Sequence, residues 1–134
     1  MHNFWGVVLR QEIEQAYDRF WRVRADAVLS LDSSRLPEVA AGEALEVETR
    51  RIEQLRAEGR AGRYVIDLQY GVVEATPTSA VVAAKYQSWS YFVDPKTLQP
   101  LAPTPAAAEQ ATMTFWLEKR DGTWKVVDGT VHQA

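Results

Sequence analysis

The chain has 134 residues, no cysteine, a net charge of −3 and a hydrophobic content of 46%. That length fits one domain with a sizeable core, and the absence of thiols excludes disulfides, thiolate metal ligands and a cysteine nucleophile. The mild acidic balance speaks against a nucleic-acid partner, whose binders carry a basic face.

Histidine is confined to His2 and His132, so no histidine-rich metal site is expected, and nothing implies a cofactor. No apolar run approaches the roughly 18–20 residues of a membrane helix, so insertion by this chain itself is not expected. The opening Phe4-Trp5-Gly6-Val7-Val8-Leu9 is too short to span and lacks a signal-peptide cleavage pattern. The default compartment is the cytosol, with an extracytoplasmic setting open if the chain is part of a larger protein.

In chain order, residues 8–31 read as one long amphipathic helix. Ile13, Tyr17, Phe20, Trp21, Val28 and Leu31 recur at helical steps and no proline interrupts them. Asp32-Ser33-Ser34 suits a stop and a new cap, and Ser34-Arg35-Leu36-Pro37 predicts a short helix over 35–41. A third helix is predicted over 43–58, with Leu45, Thr49, Ile52 and Leu55 facing inward and Gly59 ending it.

The period then changes to two. Strands are predicted over 63–74 and 80–93, separated by a turn at Thr76-Pro77. Residues 95–105 hold four prolines and no periodicity, which reads as an extended loop. Two further strands, 109–119 and 123–132, flank Arg120-Asp121-Gly122-Thr123, and Asp-Gly between β-prone runs is a strong hairpin signal. Helices followed by an antiparallel meander predict a single α+β domain over residues 1–134. Its three N-terminal helices would pack on a curved four-stranded antiparallel sheet.

This order, with Gly122-Thr123-Trp124-Lys125-Val126-Val127-Asp128 as the last strand, resembles the cone-shaped NTF2-like superfamily. Ile52-Glu53-Gln54-Leu55-Arg56-Ala57-Glu58-Gly59 followed by Tyr64-Val65-Ile66-Asp67-Leu68, and the long aromatic second strand, are similar to the C-terminal domain of plastid-division ARC6-like proteins. The resemblance implies a cone fold. It leaves open enzymes, binding proteins and non-catalytic assembly modules.

Within such a cone the candidate catalytic groups are Tyr17 as a hydrogen-bond donor to substrate oxygen and Asp32 or Asp128 as proton carrier. His132 shares a face with Asp128 but lies roughly 13 Å along the strand, too far to orient it. Tyr17, Trp21, Trp116, Trp124 and Asp128 are the candidate pocket-lining set. They would accept a small apolar ligand, or simply form a core of large rings. Gln87, Trp89 and Tyr91 fall on one face of the second strand while Tyr86 and Phe92 fall on the other. A strand with rings on both faces predicts an interface with a second copy or another protein. Arg50, Arg51, Arg56, Arg60 and Arg63 alternate with Glu46, Glu48, Glu53 and Glu58, which reads as a self-compensated surface. The expected function is therefore a non-catalytic binding or assembly module, self-associating through its sheet. An isomerase or dehydratase built on Tyr17, or a binder of an apolar ligand, is the alternative.

Overall fold

A computed structural model describes residues 4–132; His2 lies outside them. Helix α1 (Phe4–Ser30) begins earlier than its apolar period suggests and ends at Leu31, which takes a left-handed conformation (φ 56°). Asp32 then accepts the Ser34 amide at 2.9 Å and turns the chain. The expected helix over 35–41 is a single 3-10 turn, Leu36–Glu38, containing Pro37. It stops because the following residues are drawn into sheet pairing. The Val126 amide donates to Val39, and the Ala41 amide donates to Val126, each at 2.9 Å. Helix α2 (Gly42–Glu58) is capped by Gly59 in a left-handed conformation that only glycine adopts without strain. Its buried face is Ala44, Glu48, Ile52 and Leu55, so the inward stripe is rotated from the expected Leu45 and Thr49. No helix among the described residues is long and apolar enough to cross a membrane.

Among the described residues the protein is thus α+β with two α-helices rather than three, and its strands form two sheets rather than one. Strands β2 (Ile66–Ala75), β3 (Ser79–Ser88), β5 (Glu109–Arg120) and β6 (Thr123–His132) pair antiparallel in that order. Strands β1 (Ala61–Arg63) and β4 (Tyr91–Val93) form a separate pair. The β1–β4 pair continues the β2–β3 hairpin across an interruption. Ile66 stands opposite Ser88 and Arg63 opposite Tyr91, so the register carries across the gap unchanged. At the gap the Val65 amide goes to the Ser90 hydroxyl (3.1 Å), and that hydroxyl also accepts the Ser88 O–H (2.7 Å). The Ser90 hydroxyl replaces one backbone bond of the ladder there, while the Trp89 amide still donates to the Val65 carbonyl at 2.8 Å.

The helices cover one face of the four-stranded sheet. Ala80, Val82, Ala84, Ala111, Met113, Phe115 and Leu117 are buried toward them. Both outer strands carry a bulge, at Val73 in β2 and at Val127 in β6. Past its bulge, β6 shifts the face that each residue presents. Gly129 then lies opposite Phe115, and a Cβ there would come within 3.0 Å of the Phe115 ring. The missing side chain makes room for that ring inside the fold.

Candidate functional site

The space between α1 and the sheet is filled by rings. Tyr17, near the middle of α1, has no exposed surface, and its ring packs edge-on against Tyr70 (4.7 Å between centroids) and Phe115 (5.3 Å). Trp21, one turn on, meets Tyr17, Tyr64 and Phe115 at similar angles. Edge-to-face contacts of this kind add to the burial of large apolar surfaces. The Tyr17 hydroxyl and the Trp21 indole N–H are buried without a hydrogen-bond partner among the described residues. Burial pushes the Tyr17 hydroxyl up to about 12, against smaller opposing effects from Trp21 and Arg24. Tyr70 reaches the surface side, donating to Asp18 at 2.7 Å; burial first, then that carboxylate, raise its pKa above the ordinary tyrosine value.

Beside the rings sits a buried ion pair. Arg24 donates to Glu48 at 3.0 Å, with their side chains only 13% and 7% exposed. The Arg24 guanidinium also lies 4.8 Å from the Trp21 ring centre and 5.4 Å from that of Tyr64. Burial alone would lower its pKa, but Tyr64 and Glu48 outweigh that and raise it, so the cation is firmly held. Arg51 shares Glu48 at 3.0 Å. A cavity of about 150 Å³ remains next to this pair, lined by Phe20, Arg24, Glu48, Met113, Phe115 and Asp128 among others.

Of the candidate residues, Tyr17 and Trp21 come together in the ring cluster, and Asp128 lines the edge of the cavity beside the ion pair. Asp32 is exposed, and the Ser34 amide and hydroxyl hold its carboxyl below the usual carboxylate range. Asp128 is exposed as well. The bulge at Val127 sets it opposite Trp116, on the sheet face away from the helices, where it accepts the Gly129 amide at 2.8 Å. Trp116 is 37% exposed on that same outer face, since neighbouring Phe115 takes the inward position over Gly129. Trp124 is buried but at a different place, its indole N–H reaching Glu12 at 3.4 Å. His132 is exposed, with Nε2 3.0 Å from the Thr114 hydroxyl. The expected shared face of Gln87, Trp89 and Tyr91 runs across the interruption after Ser88 in unchanged register. Gln87 stays on the four-stranded sheet, Trp89 sits in the gap, and Tyr91 belongs to β4 beside buried Val93. Among the described residues no group of three or more His, Asp or Glu side chains is placed to hold a metal.

No protein-family model and no curated protein sequence matches the chain. Solved structures do. The intermembrane-space region of chloroplast protein ARC6 superposes with a TM-score of 0.72 at 19% identity, covering 93% of this chain and 97% of that one. An NTF2-like protein from Cytophaga hutchinsonii gives 0.58 at 14% identity, covering 99% and 100%. The fold is NTF2-like. A ketosteroid isomerase-like protein from Erwinia carotovora atroseptica gives 0.53 at 14% identity over 91% and 93%, so NTF2-like neighbours of different kinds share this shape. Within this NTF2-like fold, the Arg24–Glu48 pair is the element that sequence reasoning missed. Its signal was present: Arg24 lies three residues past Trp21 and four past Phe20, and Glu48 lies midway between Ala44 and Ile52. Each charge therefore falls on the apolar stripe of its own helix.

Proposed function

We propose that the chain is a non-catalytic binding or assembly module that pairs with a second copy through the outer face of its four-stranded sheet, as part of a larger, membrane-linked protein or on its own. The observation that carries this reading is that the cone is occupied by its own side chains, Tyr17, Phe20, Trp21, Tyr70 and Phe115. An isomerase or dehydratase needs a proton carrier beside the donor hydroxyl. Asp32 and Asp128 are both exposed, which favours the non-catalytic reading.

The outer face suits a partner. Gly71, Ala83, Thr114 and Thr130 stand in one row across all four strands, a shallow strip of small side chains. Val81 and Trp116 form the next row, ending in Asp128. Small residues allow close approach, and a tryptophan beside them is the side-chain type that anchors interfaces. The interface centre is therefore assigned to Trp116 and Val81, with Gln87 toward its margin. The similarity to a region of ARC6 is in keeping with a module of a larger protein.

Sedimentation equilibrium across micromolar concentrations tests this. The unaltered chain is expected to dimerise, and Val81→Glu with Trp116→Glu to give a monomer of unchanged melting temperature. A chain that is monomeric throughout, or a variant that still dimerises, overturns the reading.

A further inference from the structure

On the helix-covered side, away from the small-residue strip, a groove of about 340 Å³ runs between the second half of α2 and the β1–β4 ladder. Its floor is apolar, with Val28 from α1, Leu55 from α2 and the rings of Tyr64, Tyr91 and Phe92. Its polar lining is strongly one-sided. Arg51, Arg60 and Arg63 face it against the single carboxylate of Glu58, in a chain whose net charge is −3. The arginine run that reads as self-compensated in sequence is thus compensated only in part.

The pairings can be followed one by one. Arg60 is held by Glu58 at 2.9 Å, and its guanidinium carbon lies over the Phe92 ring, 3.7 Å from its centre. Arg51 shares Glu48 with the buried Arg24, so two cations divide one carboxylate. The Arg63 guanidinium has no hydrogen bond or ion pair among the described residues. The groove also holds an uncommitted hydrogen-bond donor. The Ser90 oxygen accepts from the Val65 amide and the Ser88 hydroxyl, which leaves its own O–H free to donate.

We propose that this groove binds a small organic anion, a single carboxylate or sulfonate carried on an apolar or aromatic body. Arg63 and the Ser90 hydroxyl take the charged head, and Leu55, Tyr91 and Phe92 take the body. Cavities of this size at the lower end of the ligand-binding range are apolar with a few convergent polar groups, and a guanidinium matches a carboxylate or sulfonate head with paired N–H donors. The second arginine, stacked on Phe92, extends a flat cationic surface along which an aromatic body can lie. The site is separate from the ring-filled cone and does not depend on self-association.

The probe is 1-anilinonaphthalene-8-sulfonate, compared with N-phenyl-1-naphthylamine, which has the same rings and no charge. Fluorescence titration of the full chain is expected to show the sulfonate bound more tightly than the neutral amine. Arg63→Gln is expected to weaken the sulfonate about tenfold, the size of one charge-assisted contact, and to leave the amine unchanged. Arg63→Lys restores part of the difference, and Phe92→Ala weakens both probes. Melting curves accompany each variant, so loss of fold is distinguished from loss of binding. Equal affinity for the two probes, no binding of either, or an Arg63→Gln variant that binds the sulfonate unchanged overturns the proposal. Sedimentation of the same samples keeps the result separate from the dimer reading.

Discussion

Two spaces lie between the helices and the strands, and they are furnished in opposite ways. The cone interior is packed with edge-to-face rings, and its buried cation, Arg24, is matched by Glu48. The groove beside β1 and β4 keeps its rings on the floor, leaves Arg63 unmatched among the described residues and stays open. Residue size explains the difference. Phe115 fills the cone because Gly129 yields room, whereas Gly62 places a bare backbone against Val28 at the groove. In a fold shared by proteins of several kinds, such local choices of side chain set what each space can do.

Glu48 joins the two spaces, because it binds Arg24 on one side and Arg51 on the other. Glu48→Ala leaves a buried guanidinium uncompensated and is expected to cost about 3–5 kcal/mol in urea unfolding. The joint change Arg24→Met with Glu48→Leu is expected to recover most of that loss. A single-variant cost under about 1 kcal/mol would mean that water reaches Arg24 and that the cone is not sealed.

The next effect belongs to the cone alone. The Tyr17 hydroxyl is raised from 10.0 to about 12, so the folded form keeps its proton while the unfolded chain loses it. Stability from this group is complete below pH 10 and declines until about pH 12, by about 3 kcal/mol in total. Tyr70, raised further, adds to the same alkaline loss. Tyr17→Phe is expected to flatten its share of the slope and, since the hydroxyl finds no hydrogen-bond partner among the described residues, to cost nothing at neutral pH. Guanidinium unfolding at pH 7 and at pH 11 measures both. A destabilised Tyr17→Phe at pH 7 would indicate that the hydroxyl is satisfied inside the cone.

The smallest change sharpens the groove side. A Cβ on Gly62 would lie 2.6 Å from the Val28 side chain, so Gly62→Ala is expected to cost about 1–3 kcal/mol. Val28→Ala in the same chain relieves that contact, and thermal melting of the two variants shows whether it does.

Much of the fold was legible because several signals agreed at each place. At the last hairpin the turn residues, the flanking β-branched and aromatic runs and the alternation pointed the same way. Asp121 and Gly122 take the left-handed conformations that such a turn needs (φ 50° and 80°). The long helix was legible from its stripe, apart from its first turn, where Trp5 and Val7 are exposed and break the apolar period. The short helix was not, because its end is decided by pairing with Val126, more than eighty residues away in sequence. The site was read less well, for three local reasons. Phe115, Trp116 and Leu117 are all apolar, so alternation could not say which face each takes. The extra residue at Val127 moved Asp128 from the face of Trp124 to that of Trp116. Serine hydroxyls, rather than any proline or glycine, interrupt the long hairpin between Gln87 and Tyr91.

The bulges at Val73 and Val127 have a consequence for how copies of this chain can meet. β2 and β6 are the two margins of an open sheet, where unpaired amides and carbonyls could recruit another strand. At one margin the extra residue twists the backbone out of line, with Glu74 beside it. At the other, Val39 and Ala41 already occupy the bonding groups of Val126. Strand-by-strand growth into fibres is obstructed at both ends, so contacts through the broad surface of the sheet can close into a discrete pair.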